Sequence, residues 1–268
     1  MKNVLFATTA LIATAGVAFA APTVGGSAFM GIVYDGTDID VAQRMRITFA
    51  GSVETDSGIA FGASSRITEA NGSNSGMLEH TRVTMASGGL TLAVGATHGA
   101  MRNLARVASF QGFNGGGVIA FDTGHAGVTG LTDGGNNVYL SYAMGDLVVG
   151  LASDVAGNEQ DIAVRYTVNS FTIGAGANTN DGWMVSGSMD LGNVSASIGY
   201  NSADTAVLSV GYAISDATGL QFDVQNAAAG TSYGVSVSQD LGGASLQGTL
   251  GQTAAGTTLA GLGVSFSF

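Results

Sequence analysis

The chain has 268 residues, 46% hydrophobic and only 10% charged, with 43 glycines, one proline, no cysteine and a formal net charge of −11. So little charge does not cover the surface of a secreted soluble domain. The lack of cysteine excludes a disulfide scaffold and thiolate metal sites, and the acidic balance argues against nucleic acid as a partner.

The first twenty residues read as a secretory signal. Lys2 gives a positive start, residues 4–17 an apolar and small stretch, and Ala18-Phe19-Ala20 a small-x-small cleavage site. The expected organisation is a signal peptide over 1–20 and one domain over 21–268. Beyond Ala21 the bases are seven arginines against 19 acids, so the mature charge is 7 − 19 = −12. No later run of eighteen apolar residues exists to span a membrane as a helix.

Alternation takes the place of such a helix. Leu262, Val264, Phe266 and Phe268 share one face of the last segment, and Gly261, Gly263, Ser265 and Ser267 the other. The same period places Ile162, Val164, Tyr166 and Val168 opposite Asp161, Ala163, Arg165 and Thr167, and Leu220, Phe222 and Val224 opposite Gln221, Asp223 and Gln225. The spacing predicts about sixteen strands, near 24–34, 41–53, 58–68, 80–87, 90–97, 137–144, 146–153, 160–168, 171–178, 183–191, 193–200, 205–214, 219–226, 231–241, 243–251 and 257–268. Every second connection is a tight turn such as Gly88-Gly89 or Gly242-Gly243, and the others are expected to be mostly longer and often acidic. That asymmetry fits an all-β transmembrane antiparallel barrel with an apolar outside, not a sandwich. With both termini on the short-turn side, Phe49, Phe61, Tyr142, Tyr166, Phe171, Tyr212, Phe222 and Phe266 fall near one end of their strands, and Tyr34, Trp183, Tyr200 and Tyr233 near the other. Two aromatic girdles are what two membrane interfaces require.

One stretch, 98–137, interrupts the rhythm. Met101, Leu104, Ala105 and Ala108 recur there at helical spacing, which predicts a turn or two of helix, followed by glycine-rich chain. An insert of that length is expected to occupy the interior of a wide barrel.

The polar faces of the second to fourth strands direct Arg44, Arg46, Arg66 and Arg82 into the lumen, where permanently charged groups in a constriction create a strong local field. Simple pairing of each with a nearby acid is a compatible reading. Arg102 and Arg106 lie on the insert, and its acids Asp122 and Asp133 are the candidates to face the cluster across the bore. Asp35, Asp38, Asp40, Glu69, Glu79, Asp154, Glu159, Asp181 and Asp204 read as a solvated acidic rim, with divalent-cation binding as the sharper alternative. No cofactor motif occurs, and His80, His98 and His125 lack metal-ligand spacing. The Gly230-Thr231-Ser232-Tyr233-Gly234 string matches a hydrolase elbow but has no histidine after it. The chain is therefore not expected to be an enzyme.

Residues Met30-Gly31-Ile32-Val33-Tyr34-Asp35-Gly36, Arg44-Met45-Arg46, the turn Glu54-Thr55-Asp56-Ser57-Gly58, Ser65-Arg66, Val138-Tyr139-Leu140-Ser141-Tyr142 and the terminal Phe268 resemble the Gram-negative general porin family. The closest likeness is to the small porins of alphaproteobacteria. The resemblance implies a sixteen-stranded homotrimeric barrel in the outer membrane, with the third long loop folded inside as a constriction. It also implies a terminal Phe268 read by the barrel assembly machinery. The insert carries fewer acids and more arginine than that family's pattern. The expected function is passive diffusion of small hydrophilic solutes and ions through a water-filled channel in outer-membrane lipid. A non-conducting structural or adhesive barrel plugged by the 98–137 loop is the alternative, and a lipid hydrolase using Ser232 a third.

Overall fold

The computed structural model describes residues 20–71, 73–74, 78–107 and 137–268. Its strands are β1 (Ala20–Tyr34), β2 (Ile39–Glu54), β3 (Ala60–Ala70), β4 (Ser73–Asn74), β5 (Glu79–Ser87), β6 (Leu90–Gly95), β7 (Asn137–Met144), β8 (Leu147–Asp154) and β9 (Glu159–Val168). They continue as β10 (Phe171–Asn178), β11 (Trp183–Asp190), β12 (Val194–Asn201), β13 (Ala206–Ala213), β14 (Thr218–Ala227), β15 (Gly230–Asp240), β16 (Ala244–Gln252) and β17 (Thr258–Ser267). Among the described residues one helix, α1 (Ala100–Leu104), follows β6.

Each long strand pairs antiparallel with its neighbours, and β17 returns to β1 from Ser27↔Ser267 to Tyr34↔Ala260, which closes the sheet. The two-residue β4 pairs with the rim of β3, and β5 takes over that pairing lower down, so the wall has sixteen staves. An even number of staves brings both termini to one end. Closure leaves no free edge, as a sheet in hydrocarbon requires.

Exposure decides which face is outside. In β14 Phe222 is 45% exposed while its neighbour Asp223 is 0% exposed, and in β13 Leu208 is exposed while Ser209 is buried. A sandwich would bury the apolar set; here it faces outward and the polar set lines the interior. Eleven of the twelve girdle aromatics are exposed, Tyr34 being half-buried. The Trp183 and Tyr200 rings lie 5.7 Å apart at the end opposite the termini.

Connection lengths depart from expectation. At the terminal end they are short: 55–59, 88–89, 145–146, 169–170, 191–193, 214–217 and 241–243. Gly88 and Gly89 both have positive φ (55° and 87°), the backbone that a two-residue hairpin turn needs. At the opposite end 35–38, 155–158, 179–182, 202–205, 228–229 and 253–257 are equally tight, so the contrast rests on 71–78 and 96–136 alone. The cause is side-chain chemistry at the strand ends and in the turns themselves. Asp35 Oδ1 accepts the Thr37 and Asp38 N–H groups at 2.8 Å, Asn178 Oδ1 accepts those of Asn180 and Gly182, and Asn201 Oδ1 that of Ala203 at 2.9 Å. These Asx turns fold the chain back at once.

The helix falls where the periodicity placed it, with Met101, Leu104 and Ala105 buried; Ala108 lies outside the described residues. Together with Ala93, Tyr139, Ala152, Ala163 and Met184 these residues form an apolar cluster. The core of this protein therefore sits inside the barrel, between the insert and the wall.

Candidate functional site: an arginine wall and a seated insert

Register places the arginines. Across β2 and β3, Arg44 opposes Ala70, Arg46 opposes Thr68 and Thr48 opposes Arg66; across β3 and β5, Ser64 opposes Arg82. On β2 their outward neighbours Val41, Met45 and Phe49 are exposed, so Arg44 and Arg46 point inward, each half-buried. Arg44 stands over the Phe29 ring, 4.8 Å from its centroid, which holds the guanidinium by cation–π attraction. Arg46 Nε donates to Thr68 Oγ1 at 3.4 Å.

Arg66 Nε lies 3.3 Å from Glu79 Oε1, with both side chains about a quarter exposed (25% and 30%). Glu79 was expected on the rim, and the structure instead turns it against Arg66. A register shift between Ser64 and Arg66 causes this, with His80 in the left-handed region at φ 52°. A bulge inserts one residue and so flips the side chains beyond it to the other face. Pairing with an acid thus holds for Arg66.

The insert begins on another part of the wall, packed on β7 to β10. Ala100 N donates to Asp161 Oδ1 at 2.7 Å, and Asp161 is 4% exposed. At the neck of the insert Asn137 Nδ2 donates to the Thr97 carbonyl at 2.7 Å, tying its two ends together. Met101 is fully buried against Ala163 and Gly176. Burying a side chain of that size contributes about 1.5–3 kcal/mol. Several inward positions of this wall are small, and Gly150, Gly174, Gly176 and Gly199 leave room that a Cβ would take from Leu104, Ala105, Met101 and Val107.

Of the expected site residues, Arg44, Arg46, Arg66 and Arg82 share one wall, and Arg102 and Arg106 lie on or just after α1, half-buried. Asp122 and Asp133 lie outside the described residues. Three lumen-facing groups were not singled out: Arg165 on β9, which opposes Val148 and Gly174, and the acids Asp161 and Asp223. The alternation had placed all three on polar faces, which was the signal available. Ser232 and its flanking glycines run along β15 rather than through a strand-to-helix turn, so the hydrolase elbow lacks its required context. Among the described residues no three His, Cys, Asp or Glu side chains gather as a metal site.

Comparison with known proteins agrees with this architecture. Two triple mutants of the Rhodopseudomonas blastica porin superpose with TM-scores of 0.76 and 0.73, each covering 92% of this chain and 100% of its own at 18% identity, which shows a shared fold. A porin of Rhodobacter capsulatus is 30% identical over 161 residues, 56% of this chain and 54% of that protein, so the match spans about half of each. The family model for Gram-negative porins matches residues 7–268. With nearly the whole length matched, this chain belongs to the Gram-negative porin family.

Proposed function

We propose that the chain forms a water-filled outer-membrane channel through which small hydrophilic solutes and ions diffuse passively. The observation that carries the reading is the closed sixteen-stave wall with apolar residues outside and half-exposed arginines inside, a surface that belongs in water. A barrel of sixteen strands leaves a bore wider than its side chains fill, and an insert seated inside narrows it. Arg44, Arg46, Arg66 and Arg82 supply the field on one side of that bore. Arg102 and Arg106 belong to the insert's side, with Asp122 and Asp133 proposed as its acidic counterpart. The channel bears no catalytic role in this reading.

Residues 1–20 are read as a cleaved export signal, and Phe268 as the mark for barrel assembly. The latter is supported by its place at the seam, where Phe268 and Gly26 exchange backbone hydrogen bonds at 2.7 and 3.0 Å while the ring points outward, 63% exposed. The assembly is read as a homotrimer in lipid. Between Thr81 and Ser87 the outward positions of β5 are Val83 and Met85, against Ala206, Leu208, Val210 and Tyr212 on β13. So short an apolar face covers less of a ~25 Å lipid band, which supports a second copy, not lipid, beside β5.

The test is to refold residues 21–268 in detergent and record single-channel currents in a planar lipid bilayer. Ohmic steps, in groups of three for a trimer, are expected. Silence from a folded β-rich protein, relieved by deleting 100–130, would establish the plugged barrel instead.

A further inference from the structure

The positions that look most like gaps in the sequence pattern are glycines on the inner faces of β8, β10 and β12, and the structure fills each of them with the insert. A Cβ on Gly150 would lie 2.8 Å from Leu104 Cδ1, one on Gly176 2.8 Å from Met101 Cγ, and one on Gly199 2.5 Å from Val107 Cγ2. In each case the nearest atom of the insert belongs to a side chain, which a rotamer change can move; the Ile162 carbonyl oxygen, 2.9 Å from a Cβ on Gly176, belongs to the wall and not to the insert. Gly174 differs in kind: its Cβ would lie 2.6 Å from the Leu104 carbonyl oxygen and 2.8 Å from Ala105 Cα. Both are backbone. Restoring ordinary contact at about 3.5 Å means moving the chain itself by roughly 1 Å.

On the adjoining stave Asp161 fixes the same segment at its other end, through the 2.7 Å bond from Ala100 N. It is 4% exposed, so water does not replace that bond cheaply. One contact pins the start of α1 and the other sets how deep its end lies against the wall.

We infer that Gly174 and Asp161 are positioning residues that hold the root of the insert flush with the wall, and that they thereby set how much of the bore remains open beside it. The inference rests on the channel reading above. The wall behind the root is closed sheet, so the root moves off Gly174 only into the lumen. A methyl at 174 therefore narrows the passage, whereas loss of the Asp161 bond frees the root to fluctuate.

Two experiments test this, and only one needs a conducting channel. The chain has no cysteine, so the pair Ala100→Cys and Gly150→Cys reports on seating alone; the Ala100 Cβ lies 3.1 Å from the place of a Cβ on Gly150, a few tenths of an ångström inside the separation of about 3.5–4.5 Å that a disulfide spans. Rapid intramolecular disulfide formation in the folded barrel is expected, without change in conductance on oxidation. Failure to form it, or a conductance that changes when it forms, overturns the seating.

In bilayers, Gly174→Ala is expected to lower single-channel conductance and the size limit for neutral polymers. Asp161→Ala is expected to increase open-channel current noise, and Asp161→Asn, which keeps an acceptor oxygen, to restore quiet openings. Gly51→Ala, with nothing within 4 Å of its Cβ, is expected to match the parent. A folded Gly174→Ala channel with parental conductance and size limit overturns the inference and leaves the channel reading standing. If Gly174→Ala does not fold, the Asp161 pair decides by the same noise readout. A silent parent that still forms the disulfide sinks the channel reading and leaves the seat intact.

Discussion

The inner faces of β2–β5 and of β8–β12 are built on one alternating period and do opposite things. On the first, the inward positions carry Arg44, Arg46, Arg66 and Arg82, long charged chains interleaved with Thr48, Ser64, Thr68 and Thr84. On the second, Gly150, Ala152, Ala163, Gly174, Gly176 and Gly199 keep inward positions small, so that the insert can lie against the sheet. Away from the insert's apolar cluster, no packed interior dictates what each inward position holds. In the proposed channel the two walls divide the labour, one supplying charge to water and the other a surface for the chain itself.

The comparison breaks most readily at the seat. Met101→Ala removes the one fully buried large side chain of α1 and is expected to loosen the insert's root by about 2–4 kcal/mol. Amide exchange over 100–105 should rise by orders of magnitude while barrel amides stay protected; unchanged exchange there would mean the apolar cluster does not hold the insert.

On the other wall, the double change Arg44→Gln and Arg46→Gln should leave folding and seat untouched and alter selectivity. Two unit charges about 8 Å from a permeating ion in water contribute roughly 0.5 kcal/mol each, so the anion-to-cation permeability ratio should fall about fivefold after salt screening. A reversal potential in a salt gradient that equals the parent's would remove these residues from the constriction.

Smaller still is the Arg66–Glu79 pair. Partly exposed as it is, Glu79→Gln should cost about 0.3–1 kcal/mol, read as a slight fall in the thermal midpoint at low salt that disappears at high salt. A loss that persists at 1 M salt would show a packing role instead.

The least effect is expected at the rim. The Asp38 and Thr37 backbone N–H groups hold the Asp35 carboxyl below the usual carboxylate range. A lowered folded value means that the turn's stabilisation is complete above the unfolded carboxylate value of about 3.9 and is lost as pH falls through the folded value. The Thr37 and Asp38 amide resonances should therefore stay constant through mild acid and shift only below pH ~4; movement near pH 5 would contradict the bonding.

Much of this was legible in the sequence because alternation in a membrane barrel is enforced on every stave. The strand positions, the outward aromatics and the inward Arg44, Arg46, Arg66 and Arg82 all follow from that period. The Glu79 contact does not, because a single bulge at His80 reverses parity and nothing in the sequence marks a non-glycine residue as adopting positive φ. Nor did the glycines at 150, 174, 176 and 199 announce themselves among 43. A glycine is informative only once its neighbour across space is known. The expected contrast in connection length failed for a similar reason: the side chains of Asp35, Asn178 and Asn201 close tight turns on the rim, and sequence alone does not show those bonds.

The claim beneath all of this is that water and ions pass along the arginine wall. A single cysteine at Arg82→Cys, in a chain that has none, puts a reporter on that wall, and Phe222→Cys puts one on the lipid side. Charged methanethiosulfonate reagents added to an open channel should cut the current through Arg82→Cys within seconds and leave Phe222→Cys unaffected. A channel whose cysteine at 82 is fully modified, as mass spectrometry would show, yet whose current is unchanged would contradict the account.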